Sequence, residues 1–245
     1  MSTLNDYGWD TYFQEHFRTF EGTDCEPARI TKETKNKFTL MTENGEAEAV
    51  MATKFFMSTF AKEQLPVVGD WVAARKPGES GEYFIEGVLP RKTKLIRKGK
   101  DTFGRNFEKA GDGGIRIITS NIDTVFYVAS LDHRDFNLTK IERYILMLHE
   151  SGAEPVIVLN KKDICPDLET YLERISTVAG SLPVHPVSAV DGDGVADLLQ
   201  YIKPGKSVCF IGSSGVGKSS IINSLMGEDA MFVSGIREAD KRGKH

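Results

Sequence analysis

The sequence predicts two folds in tandem: an all-β barrel, then an α/β domain built around a phosphate-binding loop. Three observations carry that expectation. Short alternating apolar and polar runs, separated by turn residues, fill residues 28 to 119. From Asp123 the pattern changes to buried strand, amphipathic helix, buried strand. Near the end, Gly212-Ser213-Ser214-Gly215-Val216-Gly217-Lys218-Ser219 fits G-x-x-x-x-G-K-[ST] at every fixed position.

Residues 1–27 form an extension rich in aromatics (Tyr7, Trp9, Tyr12, Phe13, Phe17, Phe20), expected to fold as a short helix on the barrel. The barrel strands read as Ala28–Thr31, Lys37–Met41, Glu46–Met51, Trp71–Ala74 and Tyr83–Leu89. Asn44-Gly45, Pro66, Gly69 and Pro77-Gly78 punctuate them, as turns punctuate a small barrel. In the second domain, residues 120–245, Thr124–Ala129 reads as a buried strand. Leu138–Glu150 reads as a helix, with Asn137 or Thr139 at its start and Gly152 past its end. Pro155–Leu159 is the next strand, and residues 194–201 read as a helix with Val195, Leu198, Leu199 and Ile202 on one face. Ser207–Ile211 leads as a strand into the glycine loop, and Ser220–Met226 follows as a helix.

Strand, glycine loop and helix together form a phosphate cradle. The glycines let backbone N–H groups turn inward, and the helix N-terminus adds a positive field. Lys218 is expected to reach the β- and γ-phosphates, and the Ser219 hydroxyl to ligate Mg²⁺.

The base is read upstream, at Asn160-Lys161-Lys162-Asp163. A carboxylate after that strand accepts from guanine N1–H and the exocyclic amine. Adenine offers neither donor there, so a buried Asp163 would be left unpaired. Asn160 can tie its loop to the phosphate loop, and the stem of Lys161 can cover the purine face. Ser188-Ala189 follows a further short strand, where a backbone N–H can meet guanine O6. An ATP-using kinase would leave Asp163 and Ser188-Ala189 without a role.

The motif order is reversed relative to ordinary small GTPases, in which the phosphate loop comes first. Such a reversal needs only a short joint between termini that lie close together; Lys203-Pro204-Gly205-Lys206 is the candidate. With that order, the chain resembles the circularly permuted ribosome-small-subunit-dependent GTPase A family. The resemblance covers nearly the whole length. It rests on Val68-Gly69-Asp70-Trp71-Val72, Asn121-Ile122-Asp123-Thr124-Val125, Asn160 to Asp163, Gly212 to Ser220 and the tail Arg237 to His245. It implies an OB-fold barrel at the N-terminus, a permuted GTPase domain and a C-terminal zinc domain. The implied function is GTP hydrolysis in late maturation of the small (30S) ribosomal subunit, stimulated by that subunit. GTP or GDP and Mg²⁺ are the implied ligands, and the subunit and its rRNA the partners of a monomer. The family's histidine at His245 is a candidate for positioning the attacking water. No switch threonine or Asp-x-x-Gly follows Ser220, so the chain reads as truncated. Asp191-Gly192-Asp193-Gly194 belongs to the guanine-side loop instead. The alternative is a nucleotide-gated RNA- or ribosome-binding module without useful turnover.

Net charge is -4, so contact with RNA requires a local patch. Arg91, Lys92, Lys94, Arg97, Lys98 and Lys100 supply one; the alternative, less favoured, is a solvated edge strand protected by lysines. Cys25, Cys165 and Cys209 are too scattered for a disulfide framework or zinc site. Without a signal-peptide pattern or a spanning apolar stretch, a cytoplasmic protein is expected.

Overall fold

The computed structural model describes residues 3–34, 37–59, 62–76, 81–97, 116–132 and 136–227. Its contacts divide the chain into two units. One comprises Met1–Asp123, Met147–Ala153 and Pro204–Ser207; the other comprises Thr124–Leu146, Glu154–Lys203 and Val208–His245.

In the first unit, α1 (Thr11–Phe17) is started by Asp10, whose carboxylate accepts the Tyr12 N–H at 3.1 Å. Strands β1 (Cys25–Thr34), β2 (Lys37–Thr42) and β3 (Gly45–Met51) run as an antiparallel meander. A short helix, α2 (Thr53–Ser58), precedes β4 (Trp71–Arg75) and β5 (Tyr83–Val88). The order β1-β2-β3-β5-β4 closes because β1 also pairs with β4. A five-stranded closed barrel with its helix between β3 and β4 is the OB arrangement. Alternation explains the interior: Ile30, Leu40, Ala49, Val72, Ala74 and Ile85 point inward. Strand β4 is buried on both faces, since its other side chains, Trp71 and Ala73, pack with Phe13, Phe17 and Leu89. The Trp9 ring lies 4.8 Å from that of Trp71.

Strands β6 (Lys94–Arg97) and β7 (Arg116–Ser120) form an antiparallel pair that the sequence reading does not contain. Asp70 fixes the turn before β4, accepting from Val67 N–H at 2.9 Å and from Ser120 Oγ. It also takes a fork from Arg91, Nε and Nη2 each at 2.7 Å. Arg29 is similarly enclosed, donating to the carbonyls of Tyr7, Gly69 and Asn121; burial lowers its pKa, and Asp123 and Asp70 oppose that.

The second unit is a four-stranded parallel sheet, β8 (Thr124–Ser130), β9 (Glu154–Asn160), β10 (Val184–Pro186) and β11 (Val208–Gly212), in the order β10-β9-β8-β11. Helices α3 (Leu138–Ser151), α4 (Leu168–Ala179) and α5 (Lys218–Met226) accompany it. Every residue of β8 is buried, which explains its unbroken apolar run. Phe126, Val128, Val156, Val158, Leu198, Val216 and Ile221 form the core that anchors the loops above it. Helix α4 has no counterpart in the sequence reading, although Tyr171, Ile175 and Ala179 are buried at helical spacing and Asp167 caps it. Residues 195–201 form a 3-10 helix rather than an α-helix. With three residues per turn, Val195, Leu198 and Tyr201 share the packed face and Leu199 turns outward, 49% exposed. No described helix is long and apolar enough to cross a membrane.

Candidate nucleotide site

The phosphate loop begins where β11 ends, at Gly212, whose φ is 146°. A Cβ there would lie 2.3 Å from the Val128 carbonyl oxygen, so only glycine fits beside β8. Val216, 3% exposed, roots the loop in the core. Gly217 then starts α5 with φ of 95°, and its Cβ would meet Asn160 Nδ2 at 2.1 Å. Lys218 folds back along the loop, its ammonium donating to the carbonyls of Gly212 at 3.1 Å and Ser213 at 2.7 Å. Burial pulls its pKa below the ordinary lysine value, and it forms no ion pair among the described residues. Ser219 is in the first turn of α5, and its hydroxyl makes no hydrogen bond among the described residues. A lone neutral oxygen beside a phosphate cradle fits Mg²⁺, which keeps several waters and needs few protein ligands. The structure therefore brings Gly212 through Ser220 together at the C-terminal end of the sheet.

Asn160 ends β9 and is 3% exposed. Its Nδ2 donates to the Val216 carbonyl at 2.8 Å, and its Oδ1 accepts from the Ala189 N–H at 3.1 Å. One side chain thus clasps the phosphate loop on one side and the Ser188-Ala189 segment on the other. Lys161 takes a left-handed conformation, φ 69°, which turns the chain out of the sheet. The Lys162 ammonium pairs with Asp193 at 2.6 Å, and its N–H donates to the Val187 carbonyl at 3.0 Å. Ser188, 1% exposed, donates its hydroxyl proton to Asp163 Oδ1 at 3.0 Å and accepts from the Asp191 N–H at 3.2 Å. The Asp191–Gly194 segment is thereby tied to the Ser188-Ala189 loop, with Gly194 capping the 3-10 helix.

Two expectations change here. Asp163 is exposed, not buried, so enclosure of its carboxylate has to come from the base itself. The Ala189 N–H is spent on Asn160 instead of standing free for guanine O6. A third concerns the basic patch: Arg91 is an internal strut, its side chain 11% exposed against a fully buried Asp70. The Lys92 ammonium pairs with Asp10 and lies 4.8 Å from the Phe13 ring centroid. Lys94 is exposed on β6. Lys98, Lys100 and His245 lie outside the described residues, as does the side chain of Arg97.

One neighbour of the phosphate loop escapes the sequence reading. Lys140, in the first turn of α3, donates to Ser213 Oγ at 2.5 Å. It stands 73 residues from Ser213 in sequence, and only the parallel pairing of β8 with β11 brings the two together.

Residues 88–245 match the family described as RsgA GTPase. A protein of Opitutus terrae named small ribosomal subunit biogenesis GTPase RsgA is 37% identical over 99% of this chain, which covers 66% of that protein. A protein of the same name from Leptospira interrogans (serovar Lai) is 36% identical over the whole chain, which covers 64% of it. The chain thus spans slightly less than two thirds of these relatives' lengths. Among solved structures, YjeQ from Thermotoga maritima superposes with a TM-score of 0.63 at 26% identity, over 82% of this chain and 65% of that one. YloQ, described as a circularly permuted GTPase, shares the fold with a TM-score of 0.57 at 20% identity, over 82% of this chain and 63% of its own.

Proposed function

The chain belongs to the RsgA GTPase family, and from that premise we propose that it binds GTP and GDP and serves in maturation of the small ribosomal subunit, with GTP hydrolysis as the reaction of the whole protein. Asn160 is the observation that carries this reading. A single buried side chain bonds both to the phosphate loop and to Ala189, which makes one site of the base-reading and phosphate-binding segments.

The residues divide the work. Asp163, oriented by Ser188, accepts the two guanine donors. The loop amides and Lys218 take the phosphates, where Lys218 also stabilises charge developing in the transition state. Ser219 is the Mg²⁺ ligand in this proposal, and the metal supplies charge neutralisation on the phosphates. His245 is assigned to orienting the attacking water. The rRNA contact is assigned to the basic segment that follows the barrel, reduced by the internal role of Arg91 to Lys94, Arg97, Lys98 and Lys100, with Lys92 at its border.

Co-sedimentation with small subunits tests the proposal. More of this chain should pellet with a non-hydrolysable GTP analogue than with GDP or ATP. Exchanging Lys94, Arg97, Lys98 and Lys100 for alanine should lower pelleting and flatten its salt dependence. Pelleting that ignores both the nucleotide and the four lysine and arginine positions would contradict the reading.

A further inference from the structure

Ser213 carries two ammonium groups. Its carbonyl accepts from Lys218 at 2.7 Å and its hydroxyl accepts from Lys140 at 2.5 Å. Both lysines are half-buried, and neither forms an ion pair among the described residues. Elsewhere, lysines of this chain meet carboxylates, as Lys162 does Asp193 and Lys206 does Asp123. Two like charges, partly withdrawn from water and held on neutral oxygens of one residue, repel each other and forgo solvation. A polyanion placed between them removes both penalties.

The position specifies which part of the polyanion. The lysine of this loop reaches the β- and γ-phosphates, so its ammonium, folded back onto Gly212 and Ser213, marks the outer end of the phosphate chain. Lys140 approaches that same end from a different element. Its backbone is fixed there, since Asn137 Oδ1 accepts the Lys140 N–H at 2.9 Å. We propose that Lys140 is a second phosphate-binding cation, which leaves Ser213 for the terminal phosphate of GTP and so makes the site prefer the triphosphate over the diphosphate. This rests on the guanine-nucleotide reading of the loop. It also gives the start of α3 a contact that depends on which nucleotide is bound.

The test uses the full chain with Lys140→Met, which keeps the stem and removes the charge, Lys140→Gln as a polar second variant, and Lys140→Arg. Affinities for a non-hydrolysable GTP analogue and for GDP are read by displacement of a fluorescent nucleotide. The first two variants should weaken the triphosphate analogue about tenfold and GDP no more than about twofold, and Lys140→Arg should restore most of the difference. Equal losses for both nucleotides would show that Lys140 only props Ser213, and no loss would show that it is a solvated neighbour; either overturns the inference. Lys218→Ala, measured in parallel, separates the two levels. If it weakens binding of both nucleotides while the Lys140 variants change nothing, this inference alone fails. If it too changes nothing, the nucleotide site itself is misread, and the inference falls with it.

Discussion

The base side and the phosphate side of the site are built on different principles. Around Asn160, Asp163 and Ser188, hydrogen-bonding groups already have partners, and Lys162 has a carboxylate. Along Gly212 to Lys218, shape comes from glycines with positive φ, and the two nearest cations rest on neutral oxygens. The base side is therefore preorganised, with Asp163 held by Ser188. In the proposed reading it supplies selectivity, because a wrong base would leave the oriented Asp163 carboxylate without donors. The phosphate side is rigid but short of negative charge, so it supplies affinity.

Gly217→Ala should break both sides at once. The new Cβ would displace Asn160, and the positive φ would add strain. Together these cost roughly 2–5 kcal/mol of stability, read as a shifted urea midpoint, with GDP binding lost in calorimetry. Lys218→Ala should injure the phosphate side alone. It removes a charge-assisted contact of about 1.5–3 kcal/mol from GDP and GTP binding, while any binding of guanosine, which has no phosphate, and the melting temperature should hardly move. If guanosine binding fell equally, the two sides would not be separable. Ser188→Ala should loosen only the base side. It frees Asp163 from its orienting hydroxyl and costs about 0.5–1.5 kcal/mol, visible as weaker GDP binding with unchanged sensitivity to salt.

The smallest effect concerns pH. His185, whose Nε2 lies 3.0 Å from the Tyr201 hydroxyl, has its pKa lowered by burial, with Asp197 opposing. The unfolded chain then binds the proton more readily than the folded one. Stability should accordingly fall as pH drops below about 6.5 toward the folded value. His185→Gln should flatten that part of a denaturation-against-pH curve, and an unchanged curve would remove His185 from the account.

What could be read in the sequence follows the same division. The phosphate loop and Asn160 to Asp163 are local strings whose chemistry fixes their spacing, and both stand where the motifs predict, at strand ends. Barrel strands such as β2 were legible because one face is apolar, and β4 because both are. Contacts made across the fold were not. Arg91 looks like one more surface cation until Asp70, twenty-one positions earlier, turns out to hold it. Lys140 carries no motif, and its position at Ser213 exists only because β8 and β11 are neighbours. The exposure of Asp163 was misjudged for a related reason, since burial is a property of the whole site and the string Asn-Lys-Lys-Asp does not contain it.

Whether Asp163 selects guanine can be read by calorimetric titration of the chain and of Asp163→Asn with GDP, ADP and xanthosine diphosphate. The wild type should bind GDP and leave ADP unbound. The variant should lose GDP and gain the xanthine nucleotide, whose ring presents an acceptor where guanine carries its amine, with the phosphate contacts unchanged. Equal binding of GDP and ADP by the wild type, or a variant that still prefers GDP, would contradict the account.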